Sequence, residues 1–298
     1  MSSRPTSNPR KVVQAYWYLL LIPIFAVLSV IEFYPLVYGF YISLTGPNGG
    51  LTLDNYSQMI ADRNFWNSVA VSLTYSTLST GIAIAIGLGL TFLVTQEVRG
   101  RRVYEAIFVL PMAAAPLMVG IVWGPSAVWD DFQTFTHFVL GLPYFQEVQI
   151  LFYFPVMSFS EAWEWAPLLM LVSLSIMRSM PKEVYEAGKL HGASGWQLFR
   201  KITVPAVLGS PVMQFVVVLR FIDAMRAFEI PLSWSTWVGF ETSVGSPVDS
   251  LSLYLYKLLF IPSFGFPLPM VSAIAVALLV VTLVSATVMM RLLGAIGR

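Results

Sequence analysis

Six long apolar runs, separated by shorter polar stretches, dominate the hydrophobic pattern of the chain. A helix needs about 20 consecutive apolar residues to cross a bilayer, and each run is at least that long. The runs extend over about 13–44, 65–94, 106–129, 150–177, 204–232 and 258–290. The pattern therefore predicts an all-α, polytopic membrane protein with about six transmembrane helices. A polar N-terminal tail (1–12) precedes a membrane domain (13–298).

The runs differ in composition in ways that predict how they pack. The second run carries no charge and is rich in Ser, Thr and Gly, small residues that let membrane helices approach closely. The first run is far longer than the ~7–15 residues of a signal-peptide core, which indicates a retained span.

The composition supports the membrane interpretation and excludes several chemistries. The chain is 57% hydrophobic and 11% charged, whereas a soluble domain carries about 25% charged residues. A net charge of +1 gives no indication of nucleic acid as a partner. Since the chain has no cysteine, disulfides and cysteine metal sites are excluded. Its two histidines, His137 and His191, are too far apart in sequence to suggest a His-rich metal site.

The basic residues are distributed unevenly between the two sides of the predicted spans, and such residues favour the cytoplasmic side. Only Arg63 and Lys257 fall on one side, and Arg220 and Arg226 lie within a span. The other thirteen share the opposite side: Arg4, Arg10, Lys11, Arg99, Arg101, Arg102, Arg178, Lys182, Lys189, Arg200, Lys201, Arg291 and Arg298. We therefore predict that both termini and the loop 179–205 are cytoplasmic.

The loop 179–205 is a charged insert between two apolar runs, and its residues predict two short helices. Pro181 suits a first helical turn because its missing N–H costs nothing there. Gly192 marks a helix end, where a left-handed residue is common. Ser194 and Gln197 have the spacing of a capping box.

Five large apolar side chains of this loop, Tyr185, Leu190, Trp196, Leu198 and Phe199, are predicted to be exposed. Apolar groups in a solvated loop indicate an interaction surface. The loop either docks on another protein or packs on its own membrane domain.

A resemblance to a known family rests on this loop. The loop resembles the "EAA" loop of ABC-importer permeases in the order of Glu186-Ala187, Gly192-Ala193, Ile202 and Pro205. Gly188 stands where a second alanine is common, and His191 where an aspartate is common. The resemblance implies the ABC-importer permease fold and a short cytoplasmic coupling helix that docks on an ATP-hydrolysing subunit.

Further segments are similar to permeases of the maltose type. These are 222–229, 250–256, and Leu110-Pro111 with Trp123. The resemblance implies a multi-pass subunit in the cell membrane of a bacterium or archaeon that imports a sugar or polyol. The implied partners are a second related permease, two ATPase subunits and an extracytoplasmic solute-binding protein.

ATP and Mg are expected on the partner ATPase subunits, with no cofactor in this chain and no enzymatic activity of its own. A phosphate-binding loop requires Gly-Lys followed by Ser or Thr. Here Gly188-Lys189 is followed by Leu190.

Charged residues inside apolar runs are the second candidate site, because a charge in hydrocarbon normally faces a cavity or a partner. Arg220, Asp223 and Arg226 follow one another at intervals of three residues, which brings neighbours within reach on one side of a helix. They either neutralise each other and hold helices together or line a polar path.

The fourth run contains Glu161, Glu164 and Trp165, predicted to share a face, with Trp163 turned away. Carboxylates accept hydrogen bonds from sugar hydroxyls, and an aromatic ring packs on the apolar face of a sugar.

Three alternatives to a sugar importer remain open at this point. An importer of the same class for a sugar phosphate would use Arg220 and Arg226 to bind the anion. An ion-coupled secondary transporter would carry protons on Asp223 or Glu164. A membrane scaffold would have no path. The coupling loop favours an ATP-driven importer over the last two.

Overall fold

A computed structural model describes residues 21–96, 100–124, 130–141, 149–237, 239–240, 243–261 and 265–296. Across these residues the regular structure is helical, apart from one isolated bridge between Thr45 and Leu51. The all-α class is therefore confirmed. The predicted tail, 1–12, lies outside the described residues.

The chain divides into two compact units. One comprises Met1–Met59 and Pro267–Val276, and the other comprises Ile60–Phe266 and Ala277–Arg298. The first helix of the chain, α1 (Leu21–Ser43), contains one π-helical turn, Ser29–Phe33. The second helix, α2 (Asp54–Ala61), is anchored to the end of α1 by Asn55, whose Nδ2 donates to the backbone oxygens of Ser43 at 2.9 Å and Thr45 at 3.0 Å.

The larger unit holds most of the remaining helices. They are α3 (Arg63–Thr95), α4 (Arg101–Val109), α5 (Pro116–Val122), α6 (Asp130–Leu140), α7 (Gln149–Ser179), α8 (Lys182–Leu190), α9 (Gly195–Leu198), α10 (Val204–Gly209), α11 (Pro211–Met225), α12 (Glu229–Trp237) and α13 (Leu251–Phe260). The last helix of the chain is α14 (Leu268–Ile296).

The two long helices α3 and α7 pack directly against each other. The contact is tight at Gly87, where an added Cβ would lie 2.7 Å from Leu169 Cβ and 3.0 Å from the Ala166 backbone oxygen. No side chain fits in that space without moving α7. The prediction that the small residues of the second run allow close helix approach is thus confirmed at Gly87.

Two of the predicted spans are sharply bent. The helix pair Arg101–Ala113 and Pro116–Val122 meets at 101°, and the pair Gly195–Gly209 and Pro211–Trp237 meets at 69°. Each second helix begins with a proline, and the residue before it is extended, with ψ of 137° at Ala115 and 130° at Ser210. The bends follow because proline disfavours helical geometry in the preceding residue.

Three described helices are long and apolar enough to cross a membrane, and the number rises to five if each bent pair forms one span. Helix α7, with 31 residues, is also long enough to cross. It is not one of the three, because Glu161 and Glu164 lower its mean hydropathy. The predicted start of the last span at about residue 258 is wrong. Residues 251–260 form the separate helix α13, and α14 begins only at Leu268.

Candidate functional site

The loop 179–205 contains the glycine turn that the sequence predicts. Helix α8 ends at Leu190, and Gly192 follows with a φ of +77°. Its N–H donates to the Lys189 oxygen at 2.9 Å, and the N–H of Ala193 donates to the Gly188 oxygen at 3.1 Å. This pair of bonds is the Schellman motif, which satisfies the last carbonyls of a helix and requires a left-handed residue.

The predicted capping box is also present. Ser194 Oγ accepts the N–H of Gln197 at 3.3 Å, and Gln197 Oε1 accepts the N–H of Ser194 at 2.8 Å. Helix α9 then continues through a π-helical turn, Phe199–Thr203, into α10. The predicted pair of short helices is confirmed, and the second one runs on into the next bent span.

Two of the five apolar side chains predicted to be exposed are buried instead. Leu198 and Phe199 are each 6% exposed. The Phe199 ring packs on the Phe92 ring of α3 at a centroid distance of 5.0 Å. The Trp196 ring also packs on Phe92, at 5.2 Å. The prediction was wrong for these two residues because Phe92 lies in a distant part of the sequence.

Gly188 has a local packing reason for being glycine. It faces Leu198, and a Cβ at position 188 would overlap with the end of that side chain. A methyl group there would require Leu198 to move.

The outer surface of the loop combines apolar and polar groups. Leu190 is 89% exposed and Trp196 is 55% exposed. The other predicted coupling residues share this loop: Glu186, Ala187, His191, Gly192 and Pro205 are exposed, and Gly188, Ala193 and Ile202 are half-buried.

A polar cavity of about 380 Å³ lies where α7 faces the junction of α11 and α12. The charged residues and the tryptophan described in its lining are Glu161, Glu164, Trp165, Asp223, Arg226 and Glu229. The sequence analysis selected five of these six residues, from two runs far apart in the chain. The structure brings them together, with Glu229 as an addition.

Arg220 lies buried behind this lining and joins three helices. Its Nη2 is 3.2 Å from Glu161 Oε2 on α7 and donates to Ser79 Oγ on α3 at 3.1 Å. Its guanidinium lies 5.0 Å from the centre of the Trp165 ring, a cation–π contact. Its distance to Asp223 Oδ2, on its own helix, is longer, at 3.8 Å.

The main ionic partner of Arg220 is therefore Glu161, and the sequence analysis did not pair these two residues. The Asp223 side chain is 44% exposed, whereas that of Glu161 is 6% exposed. The sequence did offer a signal for this pair, since Glu161 and Arg220 are opposite charges in two consecutive apolar runs. Trp163 packs at 5.6 Å from Trp123, outside the cavity lining, which agrees with the prediction that it is turned away.

Several buried polar atoms next to the cavity have unused hydrogen-bonding capacity. Glu164 Oε2 has no hydrogen-bond partner within the described part of the chain, and neither does the Nε of Arg220. Buried polar atoms are normally satisfied. The cavity therefore offers a carboxylate acceptor at its wall, next to an aromatic face.

Sequence reasoning missed a second buried ion pair. Lys257, which was assigned to an outer loop, is 1% exposed, and its Nζ lies 2.7 Å from Oδ1 of Asp249, which is fully buried. The same Nζ donates to the backbone oxygens of Phe240 at 2.6 Å and Ser243 at 3.0 Å. A lysine next to a predicted span resembles an ordinary surface lysine in sequence, so nothing there indicated its burial.

Comparison with known families identifies the chain. Residues 81–298 match the family model described as "Binding-protein-dependent transport system inner membrane component". The chain belongs to this family. The matched region contains both the loop 179–205 and the polar cavity, so both are parts of a transport component of the membrane.

Curated relatives of this permease cover most of its length. The trehalose/maltose transport system permease protein MalF of Thermococcus litoralis is 27% identical over 226 residues, which cover 72% of this chain and 74% of that protein. The probable starch degradation products transport system permease protein AmyD of Thermoanaerobacterium thermosulfurigenes is 26% identical, with coverages of 82% and 83%.

A solved structure confirms the permease fold. One chain of a bacterial alginate ABC transporter, in complex with an alginate pentasaccharide-bound periplasmic protein, superposes with a TM-score of 0.76. The match covers 94% of each chain at 20% sequence identity. The fold is therefore that of an ABC-importer permease.

Proposed function

We propose that this permease forms the translocation path of an ATP-driven importer for an uncharged sugar or polyol. The observation that carries the proposal is the polar cavity, where Glu164 and Trp165 stand side by side. Relatives named for trehalose, maltose and starch products support a sugar as the solute.

The cavity suits a solute with many hydroxyl groups. The Oε2 of Glu164, which has no partner among the described residues, can accept a hydrogen bond that a sugar hydroxyl donates. The ring of Trp165 offers a flat surface for the apolar face of a sugar ring. Glu161, held by Arg220, places a second carboxylate beside them.

The charges of the cavity weigh against an anionic solute. Four carboxylates line it, those of Glu161, Glu164, Asp223 and Glu229. Arg226 is the one arginine among the described residues of the lining, and Arg220 is already engaged by Glu161, Ser79 and Trp165. A sugar phosphate would meet more negative than positive charge, so the structure favours a neutral solute over this alternative.

The loop 179–205 is proposed to be the coupling element. Force must pass from an ATPase subunit to the membrane helices, and an exposed apolar group on a rigid short helix suits such a contact. Leu190 and Trp196 provide this surface. The contact of Trp196 with Phe92, a residue of α3, connects the loop to that helix. The proposed complete importer also holds a sister permease, two ATPase subunits that bind ATP and Mg, and an extracytoplasmic binding protein.

The uptake experiment uses the complete importer, with its sister permease, ATPases and binding protein, in liposomes. We expect ATP-dependent uptake of radiolabelled trehalose or maltose and none of glucose 6-phosphate. Uptake driven by an ion gradient alone would contradict the proposal and favour a secondary transporter. Binding of each sugar to the cognate binding protein, measured by calorimetry, identifies the solute independently.

Glu164→Ala should lower sugar uptake about tenfold, because a hydrogen bond to a charged group contributes about 1.5–3 kcal/mol. Glu105→Ala is the matched control. Glu105 pairs with Arg101 at 2.8 Å on an exposed part of α4, and such surface pairs contribute little. Equal uptake by the Glu164 and Glu105 variants would remove the cavity from the path.

The proposed orientation places both termini and the loop 179–205 in the cytoplasm, and α2 outside. Because the chain has no native cysteine, single cysteines report on it directly. Lys182→Cys and Gln58→Cys both replace exposed residues. In intact cells, a membrane-impermeant thiol reagent should label the cysteine at 58, and the one at 182 only after permeabilisation. Labelling of the latter in intact cells would reverse the orientation.

A further inference from the structure

The rim of the polar cavity includes the non-helical segment between α11 and α12. Ala227 and Phe228 belong to this segment and line the cavity. Ser250 Oγ donates to the Ala227 backbone oxygen at 2.7 Å. The same hydroxyl accepts the N–H of Leu253 at 3.1 Å and so caps the start of α13. One side chain therefore holds the cavity rim and a helix N-terminus together.

The position of Ser250 is fixed by the buried ion pair of Asp249, directly before it, and Lys257, in the helix α13 that follows it. The carboxylate of Asp249 accepts two hydrogen bonds from Ser246. The Ser246 hydroxyl donates one at 2.7 Å, and the Ser246 backbone N–H donates the other at 3.1 Å. Its carboxylate also binds Lys257 Nζ, whose other contacts are the two backbone oxygens described above. These three contacts match the three protons of the ammonium group.

Helix α3 anchors this assembly from a second side. Ser72 Oγ accepts the N–H of Leu251 at 2.8 Å, and Asn67 Nδ2 donates to the Ser246 oxygen at 3.2 Å. The Phe228 ring also packs on Tyr256 of α13, at 5.0 Å between centroids. The rim is thus tied to α13 by a hydrogen bond and by an aromatic contact.

Stability alone does not account for this arrangement. A buried ion pair generally stabilises a protein no better than well-packed apolar residues of the same volume. What the hydrogen bonds of Asp249 and Lys257 do provide is a fixed direction for the turn that carries Ser250.

We propose that Ser250 is a positioning residue for the solute path, held in place by the Asp249–Lys257 pair, and that it fixes the rim of the polar cavity at Ala227. This inference rests on the proposed function of the cavity. Ser250 acts through a backbone carbonyl rather than through the solute.

The first test measures the accessibility of the rim in the complete importer. Ala227→Cys preserves the contact, because Ser250 binds the backbone oxygen of residue 227. Ser250→Ala should raise the labelling rate of this cysteine by a soluble methanethiosulfonate reagent about fivefold, the effect of losing one ordinary hydrogen bond. Ser250→Thr should restore the original rate, since threonine keeps the hydroxyl.

Ser285→Ala is the matched control. Within the part of the chain that the structure describes, the Ser285 hydroxyl bonds only to the backbone oxygen of Val281, in its own helix, at 2.6 Å. Should the complex with Ser250→Ala fail to assemble, Asp249→Asn combined with Lys257→Met removes the ion pair that holds the same turn, with residues of similar volume. The same increase in labelling is expected.

The second test measures trehalose uptake per ATP hydrolysed. Ser250→Ala should lower this ratio about fivefold, while a complex that is merely unstable would lose uptake and hydrolysis in proportion. Unchanged labelling in both the Ser250→Ala and the Asp249→Asn, Lys257→Met complexes overturns the inference, whatever solute the importer carries. If Glu164→Ala reduces uptake in that case, the proposed function of the cavity stands without it.

Discussion

Arg220→Met should destabilise the permease by about 3–5 kcal/mol, because it leaves the carboxylate of Glu161 buried without its partner. Both side chains are almost fully excluded from solvent, at 0% and 6% exposure. Solvent therefore does little to compensate the remaining charge. Unfolding in a denaturing detergent, followed by tryptophan fluorescence, measures the loss.

The double variant Arg220→Met, Glu161→Leu should recover most of this stability, since it leaves no buried charge unpaired. Asp223→Ala is the informative comparison. Its side chain is 44% exposed and lies 3.8 Å from Arg220, so we expect a loss below about 1 kcal/mol. A larger loss in Asp223→Ala than in Arg220→Met would contradict the assignment of Glu161 as the main partner.

Gly192→Asp should reduce transport about tenfold or more while the permease remains inserted and folded. The substitution strains the left-handed turn, which costs an ordinary side chain roughly 1–2 kcal/mol and costs Asp less. Among the described residues, nothing lies within 4 Å of a Cβ added at this position, so it has open space around it. Any further loss must therefore come from a contact with the ATPase, where a disrupted central residue costs about 2 kcal/mol or more.

Two controls separate the strain from the contact. Gly49 has a similar φ, +74°, and also has open space around it, so Gly49→Asp imposes the same strain away from the loop. Gly192→Asn adds the same bulk as Asp without its charge, and Asn, like Asp, adopts the left-handed conformation more readily than most residues. Co-purification of the ATPase and transport-coupled ATP hydrolysis are the measurements. Normal ATPase binding in Gly192→Asp and Gly192→Asn would show that the loop is not the coupling element.

The features that sequence predicted well are those set by neighbouring residues. The Gly192 turn and the Ser194–Gln197 capping box each depend on hydrogen bonds between residues within five positions of one another. Such local hydrogen bonds form whatever the rest of the chain does. The long apolar runs likewise follow from the length that a bilayer requires.

The features that sequence did not predict depend on distant contacts or on direction. Phe199 is buried because Phe92 meets it, and Arg220 pairs with Glu161 because α7 and α11 are neighbours. The composition of an apolar run also does not indicate how the helix is oriented or whether it bends. The prolines Pro116 and Pro211 were the only local signs that two runs turn sharply.

Helix α3 passes all three of the regions described above. Near one end Phe92 packs against the loop 179–205, in the middle Ser79 binds Arg220, and toward the other end Ser72 binds α13. Its 33 residues span about 50 Å at 1.5 Å per residue. A rigid helix can tilt about a tight contact, and the contact at Gly87 lies closer to the end of α3 at Thr95 than to its start at Arg63. A tilt of about 5° around that contact would move the end at Thr95 by about 1 Å and the end at Arg63 by about 3 Å in the opposite direction, at 1.5 Å per residue. A push on the loop would therefore reach the cavity rim as a displacement of opposite sign.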